Sequence, residues 1–546
     1  MNAAVVCVLG LVAFALGYRF YSRYLATRVF QLCADEEVPS RQFEDGIDYV
    51  PTSKHVLFGH HYSSIAGAAP IIGPAVAVIW GWVPAVLWVV LGTIFMGAVH
   101  DFSTLVISLR HKGQSVGTIV GEVIGPRTRT LFLLVIFFLI LLVIAVFARA
   151  IATLFMKHPG AVIPVNFEIL VAVAIGYGCY RRKLGLFWPS VAALLSLYGM
   201  IAVGHAVPVS LQGWFGEHTH TAWVVALLAY SFVASVLPVW VLLQPRDYIN
   251  GHQLLVGLAL LIAGILIAHP TISAPAFNPA PEGAPSWFPF LFVTIACGAI
   301  SGFHGLVSSG TSSKQISCAS DARFIGYGGM LGEGTLALIA TLAVSAGLSE
   351  FDSHYHDWSQ AAAGGLGNFV AGAAHFLSAL AIPGGLSEVV VAVLVISFAA
   401  TSLDTGVRIQ RYILAELGAQ YRIGALQNRY VAGLIAVLLP LLLVLRGQDG
   451  QLWHLFGSSN QLLAGLSLTL VLVWLVRLRR PWPVIAVPMV LVLAVAALAM
   501  SEKLSQFIEQ DNYVLATIGA IILALEVWVV LEAIGAIRRA GRPTSA

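Results

Sequence analysis

The chain has 546 residues, of which 58% are hydrophobic and only 10% are charged. A soluble protein needs roughly 25% charged residues to cover its surface, so the composition excludes that class and predicts a polytopic membrane protein. The net charge of +3 is too small to indicate nucleic-acid binding, and no P-loop pattern is present. The five cysteines are dispersed without metal-site spacing, and we expect no cofactor.

A membrane span requires about 20 mostly apolar residues, and by this criterion the chain contains about 15 candidate spans. They lie near residues 2–22, 62–82, 84–108, 130–156, 166–181, 185–207, 221–243, 251–269, 288–312, 326–348, 386–408, 428–446, 453–477, 481–500 and 513–537. The first lacks the basic start and the cleavage site of a signal peptide, so we expect a retained span. Counting 366–381 as a span would place the downstream basic residues on the wrong side. We interpret it as an extracellular half-helix or an interfacial helix.

Lys and Arg are concentrated in every second connection between the candidate spans. The basic connections lie near 19–28, 110–129, 181–183, 314–323, 408–429, 477–480 and 538–542, with Arg246 between two further spans. In contrast, residues 208–220, 270–287 and 349–365 contain neither Lys nor Arg. Basic loops stay in the cytoplasm, so this pattern predicts an external N-terminus and a cytoplasmic C-terminus.

The second candidate span contains two prolines four residues apart, Pro70 and Pro74. A proline inside a helix lacks a backbone donor and frees the carbonyl four residues earlier, here those of Ala66 and Pro70. An unpaired carbonyl costs several kcal/mol in hydrocarbon, so such a break indicates a cavity or a binding site. The sequence therefore predicts a broken helix at a transport site. The substrate-binding candidates at this break are Ser64, Gly67, Ala69 and Gly73.

A second interruption is predicted at Pro238, which frees the carbonyl of Ala234 within the span near 221–243. This span follows the first broken one by five spans, so the two cross the membrane in opposite directions. Paired interruptions in two oppositely oriented halves are typical of inverted-repeat transporters. Ser235 and Pro238 are therefore further substrate-binding candidates.

The predicted fold is an all-α polytopic membrane protein with a five-plus-five inverted repeat and extra helices at both ends. The predicted regions are an N-terminal accessory helix at 1–30, a cytoplasmic acidic loop at 31–61, the two repeats at 62–207 and 221–412, and C-terminal accessory helices at 428–538. For the acidic loop, a solvated connection, a gate and a docking surface all remain open.

The ninth candidate span is too polar to face lipid, because glycines and hydroxyl side chains are dense between Cys297 and Gln315. Small residues also serve close helix packing, which is the alternative interpretation. The presence of His304 favours a binding site, with Ser301 and His304 as substrate-binding candidates. A possible sodium site combines freed carbonyls with hydroxyls. Its predicted ligands are Ala66, Pro70, Ser308, Ser309 and Thr311.

Ionisable side chains inside spans are costly and mark candidate functional sites. Glu333 has no basic residue within one helical turn, and burial without a partner would let its carboxyl load and release protons near neutrality. We predict Glu333 as the proton-coupling residue, followed by Asp101 and its neighbour His100. Asp404 is a further coupling candidate, although Arg408 lies one turn later and is placed to form a structural ion pair with it.

Seven stretches together resemble the carbon starvation protein A (CstA) family of bacterial inner-membrane transporters. They are 58–75, 97–102, 235–250, 301–311, 326–333, 402–405 and Phe-Gly-Ser-Ser-Asn-Gln at 456–461. The resemblance implies uptake of pyruvate or peptides during carbon starvation, driven by the proton gradient. In a bacterial inner membrane the external N-terminus predicted above is periplasmic. It also implies a relation to LeuT-like (APC-type) transporters with the five-plus-five repeat. The pair Ser312–Ser313 departs from the Thr-Pro that relatives often carry before Lys-Gln.

These features predict alternating access around a midplane site, with a small carboxylate held by N–H groups at half-helix N-termini. The expected partners are a small-molecule substrate, a coupling ion and the lipid bilayer. The alternative within transport is a sodium-coupled symporter of amino acids or peptides. A metalloenzyme using His100–Asp101 or His60–His61 lacks paired spacing such as H-E-x-x-H, so we expect no enzyme. A sensor acting through the acidic loop has no attached signalling domain.

Overall fold

The computed structural model describes residues 1–46, 48–182, 185, 187–446 and 451–540, and within these ranges the chain is helical with no β-strand. In chain order the main helices are α1 (Ala3–Val29), α2 (Lys54–Ile65), α3 (Ala69–Trp80), α4 (Trp82–Arg110), α5 (Val116–Val123), α6 (Pro126–Lys157), α7 (Val162–Arg182), α8 (Phe187–Ala206), α9 (Thr219–Val236), α10 (Leu243–Ala268), α11 (Trp287–Thr294), α12 (Ala296–Ala299), α13 (Gly302–Gly310), α14 (Ala319–Ala346), α15 (Trp358–Ser378), α16 (Gly384–Gln420), α17 (Arg429–Leu445), α18 (Gln451–Arg477), α19 (Pro483–Glu509) and α20 (Tyr513–Ala540).

Among the described residues, twelve helices are long and apolar enough to cross a bilayer, or 13 if the bent pair α2–α3 counts as one span. Two further segments of the predicted set have other forms. The segment near 288–312 is interrupted and forms α11, α12 and α13. The segment near 428–446 forms the 17-residue helix α17.

The connections segregate to two ends of the molecule according to their charge. At one end, which we call the basic end, Arg110 forms an ion pair with Glu36 (Nε–Oε1 2.6 Å). At the same end Arg323 donates to the Ser22 hydroxyl, and Arg480 donates to the Phe30 carbonyl just after α1. At the opposite end, which we call the bare end, the N-terminus meets the loop at 270–287 that lacks Lys and Arg, with Ala3 N–H donating to the Pro270 carbonyl. Residues 183 and 542 of the basic set lie outside the described residues.

Helix α15 begins and ends at the bare end. The Trp358 N–H at its start donates to the Glu282 carbonyl in the 270–287 loop (2.9 Å). After its end, Gly385 at the start of α16 lies against His205 near the end of α8. A helix that returns to its starting end does not cross the bilayer. The structured region is longer than the predicted segment at 366–381.

Three predicted boundaries differ in the structure. Residues 54–61 belong to α2, so the acidic loop predicted at 31–61 ends before Lys54. Pro74 lies inside α3 without ending it, so the break follows Ile65 and precedes Pro70, which occupies the first turn of α3, where its missing N–H is tolerated. Helix α18 packs against α6, α11 and α13, so the region predicted as accessory at 428–538 contains part of the core.

The interruption predicted at Pro238 has another role. Helix α9 ends at Val236 and α10 begins at Leu243, so Pro238 lies in the connection between two consecutive helices. This connection lies toward the basic end, since α9 starts beside Thr153 near the end of α6 and α10 ends next to Pro270. The prediction of a mid-span break at Pro238 is therefore wrong. The second mid-span break lies in the ninth candidate span instead.

Candidate functional site

The first broken span bends by 50° between α2 and α3. Ala66, which ends α2, has a non-helical ψ of 75°, and Gly67 follows. A Cβ on Gly67 would lie 2.7 Å from the Ser402 hydroxyl and 2.9 Å from the Phe147 ring. The break is thus enclosed by α6 and α16. Ala69 is buried at the start of α3.

The second broken span is held open by side chains from neighbouring helices. Ile300 and Ser301 have extended backbone conformations between α12 and α13. Asn460 of α18 accepts from the Phe303 N–H (3.0 Å) and donates to the Ser301 hydroxyl (3.0 Å). Thr93 of α4 donates to the Gly298 carbonyl (3.1 Å). Side chains therefore satisfy the polar groups of this break, and the hydroxyl of Ser301, a predicted substrate ligand, is engaged by Asn460.

The two broken spans meet directly. Gly73 of α3 packs so closely on the other span that a Cβ there would lie 2.2 Å from the Thr294 carbonyl oxygen. Gly298 of α12 in turn lies against the Pro74 ring, where an added Cβ would lie 3.1 Å from the ring's Cγ atom. Gly73, a predicted substrate ligand, therefore serves close packing between the spans.

Gly73→Ala is expected to destabilise the protein by about 1–3 kcal/mol, because the new methyl group overlaps a backbone oxygen that cannot rotate away. The measurement is the melting temperature of the purified protein in detergent, together with uptake. The matched control is Gly199→Ala in α8, where a Cβ meets nothing within 4 Å. If Gly73→Ala has the same melting temperature as the control, the close packing of the two broken spans at Gly73 is contradicted.

A chain of buried titratable groups joins three helices beside the second broken span. The Nδ1 atom of His304 on α13 lies 2.9 Å from Oδ2 of Asp101 on α4. Its Nε2 atom lies 2.9 Å from Oε2 of Glu333 on α14. His100 Nδ1 lies 2.8 Å from the other oxygen of Asp101. All four side chains are buried. Glu333 was predicted to lack a basic partner; it has one in His304, from a different span.

This four-residue cluster, the coupling cluster, is tied to α2. His61 of α2 contacts the Ser312 hydroxyl beyond α13 (2.8 Å), and Tyr62 donates to the Gly332 carbonyl next to Glu333 (2.8 Å). Gly329 of α14 lies against the His61 ring, where a Cβ would approach to 2.9 Å. The half-helix before the first break therefore contacts the segment that follows α13 and the backbone next to Glu333.

A second buried cluster surrounds Arg246 of α10. Arg246 forms an ion pair with Asp404 of α16 and donates to the Tyr230 hydroxyl (2.8 Å). Its Nε lies 3.8 Å from Glu168 of α7, and Ser231 donates to Asp404 (2.8 Å). Arg246 is only 2% exposed, so its assignment to a loop set of basic residues was wrong. Asp404 lies in this cluster, apart from the coupling cluster.

Arg408 does not form the ion pair with Asp404 that their spacing predicted. Its Nη2 donates to the carbonyls of Ala234 (2.9 Å) and Leu237 (2.7 Å) at the end of α9. The Ala234 carbonyl lacks its helical donor because Pro238 stands four residues later, and Leu237 lies just beyond the end of α9. Arg408 therefore stabilises a helix end. Ser235 donates within α9, to the Phe232 carbonyl.

Two of the residues predicted as sodium ligands, Ser309 and Thr311, form hydrogen bonds to the backbone. Ser309 donates to the Gly305 carbonyl (2.7 Å) and accepts from the Val116 N–H (3.2 Å). Thr311 donates to the Val307 carbonyl (2.8 Å). These bonds lie within α13 or link it to α5. The sodium site stays a prediction.

Two cavities approach the first break from opposite ends. The bare-end cavity, of about 700 Å³, is lined by Ile72 and Val76 of α3. The basic-end cavity, of about 550 Å³, is lined by His60 and Ser64 of α2. Helix α6 lines both cavities. The break at residues 66–68 thus separates a half-helix facing one cavity from a half-helix facing the other.

Part of the acidic segment lies at the mouth of the basic-end cavity. Asp48 and Tyr49 line it, and the Val50 N–H donates to the Lys314 carbonyl (3.3 Å). The Lys314 ammonium lies 5.4 Å from the centre of the Tyr49 ring. Burial, with smaller contributions from Asp48 and Asp45, raises the pKa of the Tyr49 hydroxyl, so it stays neutral. The loop is therefore part of the wall of this cavity, and the solvated connection, the gate and the docking surface all stay predictions.

Several buried polar residues were missed from the sequence. Glu168 lies inside an apolar stretch and Lys503 in the polar run that follows the candidate span 481–500; they are 2% and 8% exposed. Asp247 contacts His60 (2.8 Å) and was grouped with a connection. The available signal was a charge within a hydrophobic window, which identifies Glu168; Lys503, in a polar run, carries no such signal. No local signal distinguishes the role of Asn460.

The sequence matches the family described as "Carbon starvation protein CstA" over residues 2–357 and 348–499. Peptide transporter CstA of Mycobacterium tuberculosis is 34% identical over 591 residues, covering 92% of this chain and 76% of the relative. Peptide transporter CstA of Escherichia coli is 33% identical, covering 88% and 78%. The pyruvate/proton symporter BtsT of Escherichia coli is 38% identical over 357 residues, or 63% of this chain and 49% of that protein.

Among solved structures, that of MhsT in complex with L-phenylalanine has a TM-score of 0.50 at 13% identity, covering 88% of this chain and 99% of that one. This likeness concerns the fold alone. Both classes of sequence relative are named as transporters, and the helices match a multi-pass membrane protein. The chain therefore belongs to the carbon starvation protein CstA family and is a membrane transporter, not an enzyme.

Proposed function

We propose that the chain is a proton symporter that imports a small carboxylate nutrient, pyruvate or a peptide, across the bacterial inner membrane during carbon starvation. The observation that carries the proposal is the buried chain Asp101–His304–Glu333 next to two broken spans. The names of the relatives, a peptide transporter and a pyruvate/proton symporter, support both the substrate class and the coupling ion.

The coupling cluster suits reversible proton binding. Two carboxylates flank one imidazole, so adding or removing one proton changes the net charge of a buried group without requiring any other ion. Buried charge is costly, and the protonation state therefore depends on which cavity supplies water and protons. Interacting groups of this kind titrate as a unit, so the proton belongs to the cluster and not to one residue.

The two half-helices provide the element that proton binding would bias. Helix α2 lines the basic-end cavity and contacts the coupling cluster through His61 and Tyr62. Helix α3 lines the bare-end cavity and packs on α11 and α12. A shift of α2 relative to α3 would open one cavity and close the other, which is alternating access.

The proposed orientation follows from the distribution of basic loops. The basic end carries the Lys and Arg residues and faces the cytoplasm, so the bare end and the N-terminus face the periplasm. Import then proceeds from the bare-end cavity to the basic-end cavity. The described part of the C-terminal helix α20 ends in a basic stretch, which supports a cytoplasmic C-terminus.

Purified protein in proteoliposomes with an acidic exterior is expected to accumulate labelled pyruvate or dialanine above equilibrium, because the proton gradient drives symport. A protonophore should abolish accumulation. The control is the same vesicles without a pH gradient. Accumulation driven by a sodium gradient and insensitive to the protonophore would instead support a sodium-coupled symporter of amino acids or peptides. If neither gradient drives accumulation of either substrate, the transport proposal fails.

A further inference from the structure

The bare-end cavity contains two cationic side chains in largely apolar surroundings. Arg149 of α6 and Lys503 of α19 line it, and no Asp or Glu is among its described lining residues. The uncharged polar side chains of Thr153 and Gln506 accompany them. Because the cavity walls are of low polarity, a cation buried among them acts strongly on whatever occupies the space.

Lys503 is only 8% exposed; its hydrogen-bond and ring contacts are neutral, and the neighbouring Glu502 is the carboxylate that acts on it electrostatically. Its Nζ donates to Oε1 of Gln506 (2.7 Å) and lies 4.8 Å from the centre of the Phe290 ring. An amide oxygen and an aromatic face compensate an ammonium only in part, and a buried cation is stable chiefly when an anion pairs with it. Glu502, next in the chain, is not among the residues that line the cavity.

The rest of the cavity suits a small organic anion. Trp358 and Trp453 contribute aromatic surface, and Ile72 of α3 contributes an aliphatic wall. A volume of about 700 Å³ accommodates pyruvate or a short peptide, each of which carries one carboxylate at neutral pH. Because α3 belongs to the first broken span, an anion held here lies against a half-helix that the proposed mechanism moves.

We propose that this cavity is the first binding site for incoming substrate, and that Arg149 and Lys503 bind its carboxylate. The inference rests on the proposed function, since it names the residues by which a carboxylate nutrient is selected on the bare-end side. These two residues determine specificity; they take no part in proton transfer, which belongs to the coupling cluster.

Lys503→Met, which keeps the length of the side chain and removes its charge, is expected to raise KM for pyruvate uptake about tenfold or more, through loss of a charge-assisted hydrogen bond. The maximal rate should change less than KM. Lys503→Arg should restore a KM near that of wild type. The matched control is Glu217→Gln, which removes an exposed carboxylate outside the cavity lining and should leave KM unchanged.

A binding measurement separates this inference from transport. Pyruvate should quench the tryptophan emission of the detergent-solubilised protein, because Trp358 and Trp453 line the site, and should do so at lower concentration than its uncharged analogue methyl pyruvate. Lys503→Met and Arg149→Gln should each remove that preference.

Wild-type uptake combined with an unchanged KM and an unchanged preference in both variants would overturn the inference while leaving the proposed function intact. A wild-type protein that transports neither pyruvate nor dialanine would overturn both. Circular dichroism and the elution volume of each variant establish that it is folded before either measurement is interpreted.

Discussion

Glu333→Gln is expected to reduce proton-driven uptake to background while substrate exchange continues. The substitution preserves size and shape, so the contact with His304 across 2.9 Å keeps its geometry, but an amide cannot take up and release a proton. Exchange does not require net proton movement, so it should persist. The measurements are uptake under an imposed pH gradient and counterflow of labelled pyruvate in the same proteoliposomes.

The matched control for this experiment is Glu388→Gln on α16, an exposed carboxyl near the bare end. It should retain both activities. Gradient-driven uptake by Glu333→Gln at the wild-type rate would remove Glu333 from the coupling role and leave Asp101 as the candidate. Loss of uptake and of exchange together would indicate a defect in binding or folding instead of coupling.

Arg246→Met is expected to destabilise the folded protein by about 3–5 kcal/mol, because it leaves the carboxylates of Asp404 and Glu168 buried without their cation. The expected signs are a low yield of monodisperse protein and a large fall in melting temperature. Arg246→Met combined with Asp404→Asn should recover part of the loss, since it removes one of the stranded charges.

Arg28→Met, which removes an exposed cation at the basic end, serves as the control for Arg246→Met. Its melting temperature should equal that of the wild-type protein. If Arg246→Met has the same melting temperature as this control, the ion pair between Arg246 and Asp404 does not stabilise the fold. Asp404 would then return to consideration as a coupling group, since its burial would have to be explained by a changing protonation state.

Hydropathy and proline placement located much of this fold, because both act within one helix. The span positions and the break before Pro70 follow from local chemistry: an apolar run must be helical in lipid, and a proline removes one backbone donor. The fold class and the family were accessible in the same way. The Lys and Arg content of the described connections predicted which of them lie at the basic end of the molecule and which at the bare end.

What the sequence does not contain is which helices touch. Pro238 marks the missing donor to the Ala234 carbonyl, but whether that carbonyl lines a site depends on Arg408, which is distant in sequence and donates to it. Glu333 has no basic neighbour on its own helix, and its partner His304 arrives from another span. Arg246 borders a connection in the sequence, and only packing shows that it is buried.

The amide of Asn460 has a consequence for how the chain is made. Ser301 and Phe303 leave the ribosome long before Asn460 does, so the interrupted ninth segment is synthesised without the side chain that later saturates its backbone. Until α18 has been inserted, that segment cannot be exposed to the lipid hydrocarbon, where a backbone N–H or carbonyl without a hydrogen-bond partner is costly. The newly made segment must be sheltered by the insertion machinery or by water, and its final placement waits for the arrival of α18.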